Sequence, residues 1–136
     1  MRLLVLDEDT RSVPHICDEF RDLGHEVLHV SDWRMLPDQV REFAPDGIVL
    51  DLMMPRIGIP ATESSYTTGS YVYHRVLHAL CPGVPFVVFS AAHLDVAIIK
   101  QANRGLGVYA EFRGVLSKGC PLKNVITQLN EPERTP

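Results

Sequence analysis

The sequence predicts an α/β protein, a doubly wound five-stranded parallel sheet with helices on both faces. Short apolar runs alternate along the chain with longer segments whose apolar residues recur every three or four positions. This order is typical of βα units joined by right-handed crossovers. Two of the runs, RLLVL at the N-terminus and IVL in the middle, end directly in acidic residues. The carboxyl edge of such a sheet is where ligands bind, so this edge is the first place to look for a site.

The first half of the chain predicts strands over 2–6, 25–30 and 48–50. A helix over 11–23 has an apolar face that includes Val13, Cys17 and Phe20, with Pro14 in its first turn and Gly24 after its end. A short helix over 36–43 begins beside Pro37, where a missing N–H costs little. The last of these strands is a continuous apolar run, which suits a strand buried on both faces.

The second half opens with a long loop over 56–68, rich in Gly, Pro, Ser and Thr. Connections in α/β units usually have about two to six residues, so this loop is either a lid or partner surface, or a mobile insertion. Helices follow over 69–80, 93–103 and 121–129, each with an apolar stripe, and strands over 84–89 and 112–116. Residues 1–130 form the predicted domain, and 131–136 form a polar tail.

Composition narrows the functional classes. The chain has 136 residues, enough for one domain with a sizeable core. Its net charge of −4 gives no bulk attraction to nucleic acids or membranes, and no apolar run approaches the roughly 18 residues of a membrane span. The three cysteines are widely spaced, which favours free thiols and a cytoplasmic location.

Acidic residues gather where the first and third strands end. Asp7, Glu8 and Asp9 follow the first strand, and Asp51 follows the third. Carboxylates at one sheet edge repel each other unless a cation neutralises them, and a hard ion with oxygen ligands, such as Mg²⁺, fits best. The alternative is that some of these acids cap the next helix and that Asp51 is a turn residue.

Two further strand ends complete a set for phosphoryl transfer. Ser90 ends the fourth strand, and Lys118 follows the fifth. A carboxylate can act as the nucleophile that forms an acyl phosphate. A metal, an ammonium group and a hydroxyl can then stabilise the charge on the phosphoryl oxygens.

The sequence resembles the receiver domain of two-component response regulators, through LVLDED, DLMMP, FSA and LSKG at the four strand ends. The resemblance covers nearly the whole chain and implies a flavodoxin-like fold with strand order 2-1-3-4-5. It also implies a role for each site residue: Asp51 as phosphoacceptor, Asp7, Glu8, Asp51 and the Met53 backbone carbonyl as ligands of Mg²⁺, Ser90 as switch hydroxyl, Ala91 beside the phosphoryl group, and Lys118 as its ion-pairing lysine.

The resemblance further implies how the protein works. A histidine kinase or a phosphotransfer protein supplies the phosphoryl group, and a conformational change signals to a downstream protein. Such a domain is not a conventional enzyme, although it catalyses its own phosphorylation and dephosphorylation. No direct nucleic-acid or membrane partner is implied, and homodimerisation stays open.

Four departures from the family pattern bear on the output. Glu8 stands where Asp is usual, the loop over 56–68 is long, Val115 replaces an aromatic switch residue, and Gly119 replaces a proline. A non-proline cis peptide costs about 2.5–4 kcal/mol, so we predict a trans Lys118–Gly119 bond with the ammonium in salt-bridge reach of Asp51.

Two alternatives remain. One is a degenerate receiver that binds proteins without phosphorylation. The other is an aspartate-nucleophile phosphatase, which needs an acid–base residue where this chain has Met53.

Overall fold

A computed structural model, which describes residues 1–63, 67–90 and 96–131, shows a parallel sheet of five strands in the order β2-β1-β3-β4-β5. Every neighbouring pair is parallel. The strands are β1 (Arg2–Leu6), β2 (Glu26–Val30), β3 (Gly47–Leu50), β4 (Phe86–Ser90) and β5 (Phe112–Ser117). The fold class and strand order predicted from the sequence are confirmed.

Helices connect the strands and cover both faces of the sheet. They are α1 (Val13–Asp22), α2 (Leu36–Phe43), α3, α4 (Val96–Leu106) and α5 (Leu122–Leu129). Helix α3 consists of three consecutive segments: α-helical Thr68–Val72, π-helical Tyr73–Leu77 and α-helical His78–Leu80. The predicted start of α4 at 93–95 lies outside the described residues. Within the described ranges, no helix has the length and apolarity needed to cross a membrane.

The sheet separates two apolar cores because side chains alternate along each strand. On β1, Leu3 and Val5 pack with the buried residues of α1 and α5. Leu4 and Leu6 face the opposite side, where they join the core formed with α2, α3 and α4. Both faces of β1 are therefore buried, which explains its unbroken apolar sequence.

Strand β5 contains a bulge that the sequence pattern did not predict. Phe86 pairs with Phe112 and Val88 pairs with Val115, so three residues of β5 face two of β4. Gly114 supplies the extra residue with a φ of +103°, a conformation that glycine adopts without steric cost. The bulge sets the register in which Ser117 pairs with Ser90, and it thereby places Lys118 at the edge of the sheet.

Candidate functional site

Three predicted site residues each lie one position beyond a strand, and backbone hydrogen bonds hold each of them there. The amide of Asp7 donates to the Val30 carbonyl at 3.1 Å, and the amide of Asp51 donates to the Leu6 carbonyl at 2.9 Å. The amide of Lys118 donates to the carbonyl of Ser90 at 2.7 Å. Each acceptor is the last residue of the neighbouring strand, so the ladder of the sheet itself positions the site.

Asp51 is the carboxylate at the centre of this edge. It is 8% exposed, and its Oδ1 accepts a hydrogen bond of 3.3 Å from the amide of Met53. The pKa of Asp51 is raised to about 6, and burial is the largest cause. The charge of Asp7 also raises this pKa, by more than the charge of Lys118 lowers it. The group is therefore mostly ionised at neutral pH but strained by its surroundings.

Asp7 is the second buried carboxylate, and it is fully engaged. Its Oδ2 lies 2.6 Å from the Lys118 Nζ, and its Oδ1 accepts from the amide of Asp9 at 3.0 Å. Burial alone would lower the pKa of Lys118, but its hydrogen bond to Asp7 and the charges of Asp7 and Asp51 outweigh burial and raise it. The ammonium thus neutralises one of the two buried acids.

The partner of Lys118 differs from the prediction. The ammonium points into the acidic site, but its salt bridge is with Asp7, and no ion pair of Asp51 is present among the described residues. Strand β3, which carries Asp51, lies between β1 and the strands β4 and β5. The lysine therefore reaches across the end of β3 to the acid that follows β1. The other half of the prediction is confirmed, because the described chain contains no cis peptide bond.

The three N-terminal acids have separate positions. Asp9 orders the turn before α1, because its carboxylate accepts from the amides of Arg11 and Ser12 at 2.8 and 3.1 Å and from the Ser12 hydroxyl. That hydroxyl bond is the main reason why the pKa of Asp9 falls to about 2. Glu8 is exposed. No three His, Cys, Asp or Glu side chains of the described residues form a group able to hold a metal, so the role of Glu8 as a metal ligand stays a prediction.

The remaining predicted site residues have different outcomes. Ser90 is buried at the end of β4, 3% exposed. Met53 carries an exposed side chain and contributes its amide to Asp51, while the role of its carbonyl as a metal ligand stays a prediction. Ala91 lies outside the described residues.

Gly69 is a site-forming residue that the sequence reasoning missed. A Cβ at this position would lie 2.4 Å from the carbonyl oxygen of Asp51 and 2.7 Å from the Cα of Leu52. The amide of Gly69 donates to the Leu52 carbonyl at 2.9 Å, so the first turn of α3 rests directly on the backbone of Asp51 and Leu52. Glycine at the start of a predicted helix was the available signal.

The long segment after β3 is attached to the rest of the domain at both ends. Nε1 of Trp33 donates to the Ile57 carbonyl at 3.0 Å, and Arg75 forms a salt bridge of 2.7 Å with Glu63. Ile57 and Trp33 line a cavity of about 240 Å³ that Glu8 also lines. The described part of this segment, 56–63, therefore borders the acidic edge; residues 64–66 lie outside the described ranges.

An aromatic residue near β5 packs against α3. Tyr109 bonds through its hydroxyl to Nδ1 of His74, and its ring lies 4.8 Å from that of Tyr73. Tyr73 in turn stacks on Phe86 of β4, with ring centroids 3.9 Å apart. Tyr109 thus connects the loop before β5 to α3 and β4, close to the position of Val115, which belongs to the same core.

Comparison with solved structures decides the fold. The receiver domain of the Francisella response regulator 1452 superposes with a TM-score of 0.66 at 20% identity, over 94% of this chain and 92% of that one. The BeF3-activated N-terminal receiver domain of Klebsiella pneumoniae RstA gives 0.65 at 17% identity, over 95% and 98%. The fold is that of a receiver domain.

A third solved structure with a similar fold contains bound groups. A response regulator protein from Burkholderia pseudomallei, solved with a phosphorylated aspartic acid, a calcium ion and citrate, matches with a TM-score of 0.63 at 17% identity. The match covers 94% of this chain and 65% of that chain. No protein-family model and no curated protein sequence matches this chain. The similarity to receiver domains is therefore a similarity of structure, at low sequence identity.

Proposed function

We propose that this protein is a phosphoacceptor receiver of a two-component phosphorelay. In this proposal Asp51 accepts a phosphoryl group from a histidine kinase or phosphotransfer protein, and the phosphorylated domain signals to a protein target by a conformational change. The observation that carries the proposal is a buried carboxylate, Asp51, set beside Asp7 and the ammonium of Lys118 at the carboxyl edge of a receiver fold.

The chemistry follows from the charge state of Asp51. With a pKa of about 6, its carboxylate is mostly ionised at neutral pH and can act as a nucleophile. One carboxylate oxygen attacks the phosphorus of a phosphohistidine, the P–N bond breaks, and its electron pair leaves with the imidazole. The product is an acyl phosphate on Asp51. Lys118 and the hydroxyl of Ser90 then stabilise the phosphoryl oxygens.

The donor set suits a hard divalent cation. Asp7 and Asp51 are buried and raise each other's electrostatic cost, as the raised pKa of Asp51 shows, and carboxylate oxygens are the ligands that Mg²⁺ prefers. Asp7, Asp51, Glu8 and the carbonyl of Met53 would hold the ion. When bound, the ion neutralises charge on the transferred phosphoryl group. The Burkholderia protein, which was solved with a phosphorylated aspartic acid and a calcium ion, supports this assignment.

The first test is chemical labelling. Acetyl phosphate with Mg²⁺ should add one phosphoryl group to the wild-type protein in intact-mass spectra, and Asp51→Asn should remove that mass. Asp22→Asn, which changes an exposed acid on α1, is the matched control and should label normally. Equal labelling of the wild type and Asp51→Asn would refute the assignment.

The second test separates the metal from the phosphoryl chemistry. A ligand that binds only the folded state stabilises it, so millimolar Mg²⁺ should raise the melting temperature, and Glu8→Gln should reduce that increase. An unchanged melting temperature in both proteins would argue against a metal site.

One observation favours a second function, a binding module that works without phosphorylation. Lys118 already neutralises Asp7 at 2.6 Å, and Glu8 faces solvent, so the site is partly charge-compensated without a metal. Absence of labelling in the first test, together with no Mg²⁺ effect in the second, would select this function.

A further inference from the structure

A cavity of about 550 Å³ lies between the first turn of α3 and the exposed face of α4. Thr67, Ser70 and Gly105 form one part of its wall, and Lys100, Gln101 and Arg104 form another. This volume falls in the range of small-molecule sites. No residue of the predicted phosphoacceptor site lines it, so a ligand here would be separate from the phosphoryl group.

The positive charges of the cavity lie on its α4 wall. Lys100 and Arg104 lie four residues apart on α4, so their side chains share a face of the helix. In the described parts of the chain, neither has a carboxylate within salt-bridge distance, and no acidic residue lines the cavity. Within the described parts of the chain these two cations are uncompensated, and they favour an anionic occupant.

The opposite wall carries a surplus hydrogen-bond donor. The hydroxyl of Thr67 donates to Ser70 Oγ at 2.9 Å and accepts from the amide of Ser70 at 3.2 Å. Two hydroxyls that share one bond have one hydrogen left over, whichever of them donates. Among the described residues that hydrogen has no acceptor, although Ser70 is only 3% exposed. A buried donor without an acceptor costs free energy, unless a ligand accepts its hydrogen bond.

We propose that this cavity binds a small ligand through an oxyanion, a phosphate or carboxylate group. The guanidinium of Arg104 and the ammonium of Lys100 pair with the anion, and the hydroxyl of the Thr67–Ser70 pair donates to it. Arg is suited to a bidentate contact with either group. Gly105 lies against the hydroxyl wall, since a Cβ built on it would make an ordinary contact of 3.6 Å with Ser70 Oγ.

The position of the cavity connects it with the phosphoacceptor. Gly69, between the two hydroxyl residues, lies against the carbonyl of Asp51. A ligand on Thr67 and Ser70 therefore binds to the turn that rests on the backbone of Asp51. The binding itself does not depend on Asp51 being phosphorylated, so the proposal stands or falls separately from the proposed function.

The experiment is a titration of the Asp51→Asn protein in the presence of a metal chelator, which removes phosphorylation and metal-dependent phosphate binding. Inorganic phosphate, AMP and citrate serve as probes, and binding is followed by amide chemical shifts. We expect saturable shifts at Ser70, Gly105 and Arg104 in the millimolar range or below. Tighter binding of AMP identifies an organic phosphate, and tighter binding of citrate identifies a polycarboxylate. No saturable shift with any probe overturns the proposal.

Charge reversal distinguishes the cavity from bulk electrostatics. Arg104→Glu should abolish binding, whereas Lys123→Glu changes the net charge equally on the exposed start of α5 and should leave it intact. Ser70→Ala should weaken binding by about tenfold, the usual effect of losing a hydrogen bond to a charged group. Melting curves confirm that each variant folds. Equal loss in Arg104→Glu and Lys123→Glu would overturn the proposal in favour of unspecific attraction.

Discussion

The ends of β1 and β3 lie side by side, and each presents one buried carboxylate one residue beyond the strand. At the end of β1, Asp7 is paired with Lys118 at 2.6 Å and with the amide of Asp9. At the end of β3, Asp51 accepts only a 3.3 Å bond from Met53, and its pKa is raised to about 6. The first carboxylate is compensated by its partners, whereas the second is buried with little compensation.

The two strand ends are also supported differently by the chain that follows. After β1, Asp9 orders the turn that leads into α1 within a few residues. After β3, a long segment leads to α3, where Gly69 packs on the backbone of Asp51. Asp51 is thus positioned by a contact distant in sequence, and we expect substitutions there to have the larger effects.

The largest expected effect is that of Gly69→Ala. The added Cβ would meet backbone atoms at 2.4 and 2.7 Å, which cannot rotate away as a side chain can. We expect a loss of about 4 kcal/mol, above the usual overpacking range because both atoms are backbone, measured by urea unfolding. Gly105→Ala is the control, since its Cβ would meet only Ser70 Oγ at 3.6 Å. A Gly69→Ala protein as stable as Gly105→Ala would contradict this contact.

The next effect is that of Asp51→Asn, and it depends on pH. The pKa of Asp51 rises on folding from 3.8 to about 6, so the folded state binds the proton more tightly than the unfolded state does. The ionised carboxylate of Asp51 therefore destabilises the folded protein. This destabilisation is absent below pH 3.8 and complete above about pH 6. Asp51→Asn should stabilise the protein by about 3 kcal/mol at pH 7 and leave it unchanged near pH 3.

The measurement is a series of urea unfolding curves from pH 3 to pH 8 on both proteins, with Asp22→Asn as the control for a lost surface charge. A stability difference that does not grow between pH 4 and pH 6 would show that the folded protein does not strain this carboxylate.

Asp7→Asn should act in the opposite direction. Its loss leaves the ammonium of Lys118 without its partner, and breaking a fully buried pair costs about 3–5 kcal/mol. The Lys118 side chain is 21% exposed, so we expect a smaller loss of about 2 kcal/mol at pH 7. Removing the charge of Asp7 should also lower the pKa of Asp51, followed by its carboxyl resonance in an NMR titration. Greater stability of Asp7→Asn would show that repulsion outweighs the salt bridge.

Much of this comparison could be read from the sequence, because the strands are contiguous apolar runs and their last residues mark the edge. Asp7, Asp51 and Lys118 were placed correctly for that reason. Glu8 also follows β1 and is exposed, and its role as a ligand of the metal stays a prediction.

Other features depend on contacts between segments that no local pattern records. Two carboxylates lie near Lys118, and only the tertiary structure decides that Asp7 is its partner. The bulge at Gly114 is visible only when β5 is paired with β4, and the role of Gly69 requires knowing where the long segment returns. In each case the deciding atom belongs to a distant part of the chain.

The smallest expected effect tests the segment after β3. The rings of Trp33 and Tyr71 lie 6.0 Å apart between their centroids. Trp33→Phe keeps an aromatic ring at this position but removes the hydrogen bond to the Ile57 carbonyl. Because that bond is exposed, its loss should cost about 0.5–1 kcal/mol of global stability. Local opening of 56–63 should increase, so limited proteolysis within this segment should be faster. Trp33→Ala, which also removes the ring, should cleave faster still. If both variants are cut at the wild-type rate, Trp33 does not hold this segment against the acidic edge.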